Sequence, residues 1–159
     1  MYSNIVGKYV QQNDVIKDTD GELSDKEIIG LYFSSKACKY CTEFTPVLKE
    51  VYPYLQESNI EIVFVSSDKT EELFNENYST YPWYALPYIY RDLKQELVSH
   101  FNFKTIPQLI FVNKNGEIVE RDGRNFIVSC QNYPNFYEKI TQHLILNSKN
   151  IFNADSDNF

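Results

Sequence analysis

Cys38 and Cys41 stand two residues apart in the string Cys38-Lys39-Tyr40-Cys41. Two thiols at that spacing can be joined and parted as a disulfide when the first lies at a helix start. An apolar run, Ile28-Ile29-Gly30-Leu31-Tyr32-Phe33, precedes the pair, and an apolar period of three and four residues follows it. The pair therefore falls where a strand hands over to a helix. Unpaired N–H groups at a helix start favour a thiolate, and Lys36 and Lys39 add positive potential. These residues predict that Cys38 is the exposed nucleophile, with the lower pKa of the two. It attacks a partner disulfide to give a mixed disulfide. Cys41, one turn into the helix, attacks that bond and releases the reduced partner, and the reverse sequence oxidises a dithiol. The chemistry calls for no metal and no organic cofactor.

The same spacing is half of a tetrahedral zinc site. Cys130, His100 and His143 are the remaining ligand candidates, and they form no second pair at ligand spacing. Exchange chemistry is the better reading of the pair in its strand-to-helix setting. Cys130 reads as a passive small hydrophobe rather than a regulatory or intermolecular disulfide partner. His100 follows a helical run and His143 sits on an apolar helical face, so both read as structural or surface residues. Three cysteines make a poor structural disulfide framework, and a close pair in a reducing compartment reads better as chemistry or metal binding.

The elements that position the pair follow from periodicity. Residues 28–33 read as a buried central strand. Phe44, Val47, Leu48, Val51, Tyr52 and Leu55 read as one face of a helix, which Pro46 and Pro53 are expected to bend or interrupt. Ile60-Glu61-Ile62-Val63-Phe64-Val65 reads as a second buried strand, completing a parallel β-α-β unit. Asp68 follows it in a loop, and Glu71-Glu72 suit the start of a short helix over residues 69–78. Residues 81–90 form an aromatic, Pro-rich connection, and Leu93, Leu97 and Phe101 suggest another short helix. Leu109-Ile110-Phe111-Val112 is a strand that turns through Asn113-Lys114-Asn115-Gly116 into an antiparallel partner, residues 117–120. Phe136, Ile140, His143, Leu144 and Ile145 propose a closing helix. The expected fold is an α/β, three-layer domain with a mixed central sheet flanked by helices, over residues 27–148. Residues 1–26 are an N-terminal extension with a short edge hairpin, and residues 149–159 a flexible tail.

Composition bounds the function. The 159 residues suit one domain with a sizeable core, and 43% hydrophobic residues are enough to fill it. A formal net charge of -7 disfavours a broad grip on nucleic acid. No apolar stretch approaches the roughly 20 residues that span a bilayer. Residues 1–14 lack the basic segment and apolar run of a secretory signal, which makes a cytoplasmic home the expectation, with the nucleus as a second site. The 13 Tyr and 11 Phe can fill a core or line a surface that receives another protein.

The residues resemble the thioredoxin superfamily, and more closely its tryparedoxin and nucleoredoxin branch. Leu31-Tyr32-Phe33-Ser34, the Cys38–Cys41 motif and Phe44-Thr45-Pro46 look like that branch's strand, redox motif and following helix. Tyr81-Pro82-Trp83-Tyr84-Ala85-Leu86-Pro87 resembles its Pro-Trp segment, and Ile106-Pro107-Gln108-Leu109 with Asn115-Gly116 its cis-proline loop and final hairpin. The likeness covers residues 27–126. It implies a thioredoxin fold, protein-disulfide reductase activity, and disulfide-containing protein substrates. It implies a small dithiol, glutathione or a dedicated reductase as electron donor. It also implies a cis bond between Ile106 and Pro107 facing the cysteines, with the Ile106 backbone free to pair with a visiting chain. Ala37, Lys39, Tyr40, Trp83, Ile106 and Pro107 are then the substrate-binding candidates. Trp83 serves either as a docking rim or as packing, and Arg124 after the hairpin resembles a family position without a clear role.

The departures are specific. The family usually has Trp where this chain has Ala37, and Pro-Pro or Gly-Pro where it has Lys39-Tyr40. Without a proline at the helix start, a fixed φ is given up. Ordinary thioredoxins carry a buried acid six residues before the first cysteine, and this chain has Tyr32 there. Proton transfer at Cys41 then needs another route, through water or a nearby carboxylate such as Glu43, though a helix-surface place suits Glu43 better. Lys36 and Lys39 either guide an acidic partner or are merely solvated. Two other functions compete with the reductase: a non-catalytic thioredoxin-like interaction module, and a thiol peroxidase using Cys38.

Overall fold

The structure is a computed structural model that describes the backbone of residues 1–157 and the side chains through residue 153. Two strands carry the architecture. β3, Ile28–Ser34, and β4, Ile60–Ser66, run parallel in register from Ile28 opposite Ile60 to Ser34 opposite Ser66. Every residue in both is buried, which is why both read as unbroken apolar runs rather than alternating ones. The third position of β3 is taken by Gly30. A Cβ there would lie 2.7 Å from Ile62 Cδ1 and 2.9 Å from Phe111 Cε1, so larger neighbours fill that space.

Around this pair the sheet has seven strands in the order β2-β1-β5-β4-β3-β6-β7. On one flank, β6 (Gln108–Val112) is antiparallel to β3, and β7 (Ile118–Glu120) is antiparallel to β6. On the other, the short β5 (Tyr84–Ala85) runs parallel to β4. A hairpin of β1 (Tyr9–Gln12) and β2 (Val15–Asp18) joins β5 through Gln11 opposite Ala85. The first 26 residues thus share the sheet of the rest. Their two short helices, α1 (Ser3–Val6) and α2 (Thr19–Leu23), bury Val6 and Leu23 against one face. The Asp18 carboxylate caps α2 by accepting from the Gly21 N–H at 2.9 Å. The expectation of an edge hairpin over residues 1–26 did not include this helix.

Strand alternation divides the core into two. Ile28, Tyr32, Ile62, Phe64, Leu109 and Phe111 face one side, under α3 (Lys39–Glu57), α4 (Glu71–Tyr78) and α6 (Gly123–Cys130). Ile29, Leu31, Phe33, Val63, Val65 and Ile110 face the other, under α1, α2 and α5 (Arg91–Phe101). This is the three-layer α/β arrangement with a mixed sheet.

Three elements differ from the sequence expectation. α3 is a continuous helix of 19 residues with both Pro46 and Pro53 inside it. Both prolines lie on its exposed face, where the carbonyls they leave unpaired can meet water. Two interior prolines cost about 6 kcal/mol at roughly 3 each. Burial of Phe44, Leu48, Val51, Tyr52 and Leu55 contributes about 7–15 kcal/mol and outweighs that. α6 was not foreseen. It starts under an Asp122 cap, with Gly123 lying where a Cβ would come 2.5 Å from the Leu109 carbonyl oxygen. The closing helix is longer than expected: α7 (Phe136–Ile140) passes through a π-turn (Thr141–Ile145) into α8 (Leu146–Asp157). The expected tail from residue 149 is therefore helical as far as Asp157, and residues 158–159 lie outside the described residues.

One buried acid sits at the end of the sheet remote from the cysteines. Glu61 is 4% exposed, and its Oε1 accepts from the Tyr52 hydroxyl at 2.5 Å and the Ile62 N–H at 2.9 Å. Burial, the largest cause, raises its pKa against the pull of those bonds and of Lys26. A carboxyl with a raised folded pKa favours folding most below its unfolded pKa, and that contribution is lost as pH rises through the folded pKa. Glu61→Gln should therefore gain stability relative to the unaltered protein as pH climbs above the ordinary carboxylate range, about 1.4 kcal/mol for each pH unit between the ordinary and the raised pKa. Thermal melts of both proteins across that range check it, and a difference in Tm that stays flat with pH would contradict it.

Candidate active site

β3 delivers the chain to Ser34, and four residues later Cys38 is the N-cap of α3. The Cys38 backbone is extended (φ -84°, ψ 116°), and its Sγ accepts from the Cys41 N–H at 3.2 Å. A sulfur thus does what an N-cap oxygen ordinarily does: it takes a helix-start N–H that has no partner within the helix. That contact places Cys38 Sγ on the positive end of a 19-residue helix.

The loop before the cap is tied down from below. The Lys36 N–H donates to Asp68 Oδ1 at 2.7 Å, and the Ser66 hydroxyl donates to Asp68 Oδ2 at 2.6 Å. Asp68 is only 6% exposed, and its carbonyl accepts from the Tyr88 hydroxyl at 2.9 Å. Arg91 extends this bracing, donating from Nη1 to the Ser66 carbonyl and from Nε to the Tyr88 carbonyl while lying 3.9 Å over the Tyr88 ring. Hydrogen bonds to a charged group each contribute about 1.5–3 kcal/mol, so Asp68 is a strong clamp between the cysteine loop and the end of β4.

On the open side, the Cys38 thiol donates to the Ile106 carbonyl at 3.7 Å, and the Ile106–Pro107 peptide bond is cis. Cys38 is half-buried, while Cys41 is 1% exposed. All three cysteines are free thiols. Burial, joined by the hydrogen bond with Cys38, pushes the Cys41 thiol up to about 12; the Ser35 backbone and the Ser34 hydroxyl pull the other way. One sulfur is accessible at a helix start, and its partner is sealed and protonated beneath it.

The thioredoxin-like family model matches residues 25–118 of this chain. Tryparedoxin of Trypanosoma brucei brucei is 34% identical over 137 residues, covering 82% of this chain and 95% of that protein. The chain belongs to the thioredoxin-like family, in its tryparedoxin and nucleoredoxin branch. Native tryparedoxin I from Crithidia fasciculata superposes with a TM-score of 0.77 at 29% identity, covering 85% of this chain and 95% of that one. A probable nucleoredoxin 3 from Oryza sativa subsp. japonica is 37% identical over 123 residues, which is 76% of this chain and 26% of that protein. The chain thus spans about a quarter of the length of the curated nucleoredoxins it matches.

Against this tryparedoxin-like frame, the residues singled out by sequence divide clearly. Ala37, Lys39 and Tyr40 are exposed around Cys38, with the Arg124 guanidinium 5.9 Å from the centre of the Tyr40 ring. Ile106 is half-buried and Pro107 buried, next to the Cys38 sulfur. Trp83 is not a docking rim: it is 1% exposed, and its indole meets the rings of Tyr32, Tyr52 and Tyr81 within the core. An aromatic in a Pro-rich loop reads equally well as rim or core, and only the packing of β5 against β4 decides. Glu43 is an exposed helix-surface acid. Lys36 is exposed and paired with Glu76. His100 is exposed on α5, His143 meets Glu120 at 2.6 Å and stacks on Phe126, and Cys130 is wholly buried. None of these three joins the cysteine pair, and among the described residues no group of three or more His, Cys, Asp or Glu is placed to hold a metal ion.

The sequence reading missed the hydroxyls behind Cys41. Thr45 Oγ1 donates to the Cys41 carbonyl at 2.8 Å and shares a hydrogen bond with the Tyr32 hydroxyl at 2.7 Å. The signal was present: four residues along a helix put Thr45 one turn below Cys41. Tyr81, by contrast, arrives from across the fold and shows no such local sign.

The geometry predicts sharply unequal thiols. In the native dithiol at neutral pH, iodoacetamide should label Cys38 alone, with Cys41 and Cys130 labelled only after denaturation. Peptide mass spectrometry checks this, and native labelling of Cys41 at a rate near that of Cys38 would contradict the sealed arrangement.

Proposed function

We propose that this chain is a thiol–disulfide oxidoreductase that reduces protein disulfides through Cys38 and Cys41. The observation that carries this is the half-buried Cys38 sulfur, capping a long helix and lying 3.7 Å from the carbonyl of a cis-proline loop, with Cys41 directly behind it in the first turn. Cys38 attacks the partner disulfide and takes one of its sulfurs into a mixed disulfide. Cys41 then attacks Cys38 Sγ, and the partner leaves as a thiolate. The helix-start N–H held on Cys38 stabilises negative charge there as the attacking thiolate forms.

The partner's chain lies along the surface formed by Ala37, Lys39, Tyr40 and the Ile106–Pro107 loop. With Ala37 rather than a large ring beside the sulfur, this surface is open, and Tyr40, at 58% exposure, supplies its aromatic contact. A tryparedoxin II has been solved in complex with glutathionylspermidine; it is 28% identical to this chain, with a TM-score of 0.73 over 80% of this chain and 91% of that one. That likeness supports a small glutathione-bearing thiol as electron donor here, ahead of a dedicated reductase. A reducing compartment, the cytoplasm first, suits three free thiols.

Reduction of insulin by the protein, driven by a small dithiol, tests the reading together with trapping on the Cys41→Ser variant. The expected outcome is turnover by the unaltered protein, none by Cys38→Ser, and protein partners bound covalently to Cys38 when Cys41 is replaced. Partner binding that persists in Cys38→Ser, with no turnover by the unaltered protein, would identify an interaction module instead.

A further inference from the structure

A buried thiol can attack only after losing its proton. The groups that bear most on the Cys41 sulfur are Cys38, the Ser35 backbone and the Ser34 hydroxyl, none of them a carboxylate. The place of a buried acid is taken by Tyr32, whose hydroxyl is committed to Thr45. The one buried carboxylate of this region, Asp68, is committed to the Lys36 N–H and the Ser66 hydroxyl.

What lies behind Cys41 is a run of neutral hydroxyls. Ser34 Oγ lies 3.2 Å from Tyr81 Oη, Tyr81 Oη lies 3.4 Å from Thr45 Oγ1, and Thr45 Oγ1 lies 2.7 Å from Tyr32 Oη. Each can donate one proton and accept another. Tyr81 also reaches the wall of an open cleft of about 460 Å³, which it lines with Ser35, Lys36, Thr45, Lys49 and Glu76 among others. The run therefore extends from Ser34, whose hydroxyl bears on the Cys41 sulfur, to Tyr81, a residue of the cleft wall.

We propose that Ser34 and Tyr81 form the proton relay of Cys41, carrying the proton of the resolving thiol to water in the Lys36–Lys49 cleft. This rests on the Cys38–Cys41 exchange reading above. As the Cys41 sulfur turns its electron pair on Cys38 Sγ, its proton passes to Ser34 Oγ. The Ser34 proton passes to Tyr81 Oη, and the Tyr81 proton passes to water in the cleft. The new Cys38–Cys41 bond forms, the bond from Cys38 to the partner breaks, and the partner sulfur leaves with that pair and takes a proton from water. The cysteine pair is oxidised and the partner reduced by the same two electrons. When a donor thiol later opens the Cys38–Cys41 bond, the proton returns along the same hydroxyls.

The surroundings suit the role. Burial raises the pKa of Tyr81, so it stays a hydroxyl able to hand on one proton while receiving another. The charged groups at the cleft are Lys49 from α3, with its ammonium 5.7 Å from the centre of the Tyr81 ring, Lys36 from the cysteine loop, and Glu76 from α4. Glu76 is paired with Lys36, leaving Lys49 to favour departure of a proton from the cleft mouth.

A nitrobenzoate aryl disulfide separates the steps, because each thiolate it releases absorbs visible light. Attack by Cys38 releases the first thiolate, and attack by Cys41 on the mixed disulfide releases the second. In Tyr81→Phe the ring remains and the hydroxyl is gone. The ratio of second-phase to first-phase rate should fall about 10- to 100-fold at neutral pH, and the deficit should close as rising pH lets hydroxide take the proton directly. Ser34→Ala breaks the run at its other end and should give the same pattern, which decides the matter where circular dichroism shows Tyr81→Phe misfolded. In the unaltered protein, second-phase rates in mixtures of light and heavy water should depend on deuterium content along a curve, as several transferring protons require. An unchanged phase ratio in a folded variant, or a linear isotope dependence, would overturn the relay. Absence of any first phase in the unaltered protein would instead overturn the exchange reading itself.

Discussion

The contact from the Cys41 N–H to the Cys38 sulfur is 3.2 Å long, and most of the molecule serves to keep it in place. It requires that one helix begin at Cys38 and nowhere else. A helix start alone does not hold a chosen residue at its cap; here the loop before it is clamped to Asp68 and the helix after it is pressed onto the sheet by one apolar face. The seven-residue parallel pairing of β3 with β4 brings both clamps to the same end of the sheet, since Ser34 and Ser66 are register partners. The site lies outside the carboxyl ends of the parallel strands, where backbone groups are released from the ladder and loops from several elements meet.

From that geometry comes the inequality of the two sulfurs. They are separated by two residues and lie in one helical turn, yet one faces solvent and the other the core. Burial acts on charge far more strongly than on a neutral thiol, so moving a sulfur a few ångströms inward changes its chemistry more than any nearby surface lysine does. The inward sulfur also needs proton traffic. A core made of aromatic rings supplies it through their hydroxyls: Tyr32 and Tyr81 pack on Phe64 and on Trp83 as hydrophobes, while their oxygens gather beside Thr45. The high tyrosine content of the chain is in part an interior feature rather than a surface for partners.

Much of this was legible in the residues. The two central strands, the helix after the cysteines, the β6–β7 hairpin and the cysteine pair are local patterns: continuous apolar runs, a repeat of three and four, turn residues, and a fixed spacing. The errors share a cause. Pro46 and Pro53 predicted a bend or an interruption, and the interruption is absent: local rules count the lost hydrogen bond but not which face of the helix it lies on. α6 escaped notice because its start depends on a glycine fitting against the Leu109 carbonyl, and its apolar positions only make sense beneath β6. Trp83 stayed ambiguous because a loop residue's exposure is set by what packs on it.

By itself, the amino-acid sequence determined the order of elements, the α/β class, and the presence of two thiols at a strand-to-helix junction, since backbone geometry and side-chain period are properties of neighbours along the chain. Tertiary structure alone decided which residues far apart in sequence meet that junction: Asp68 under the loop, Ile106 over the sulfur, Tyr81 behind it. These meetings bridge separations of up to 68 residues and depend on how strands pair and helices cover them. No local rule contains that information, because the energy that sets it is shared across the whole buried sheet.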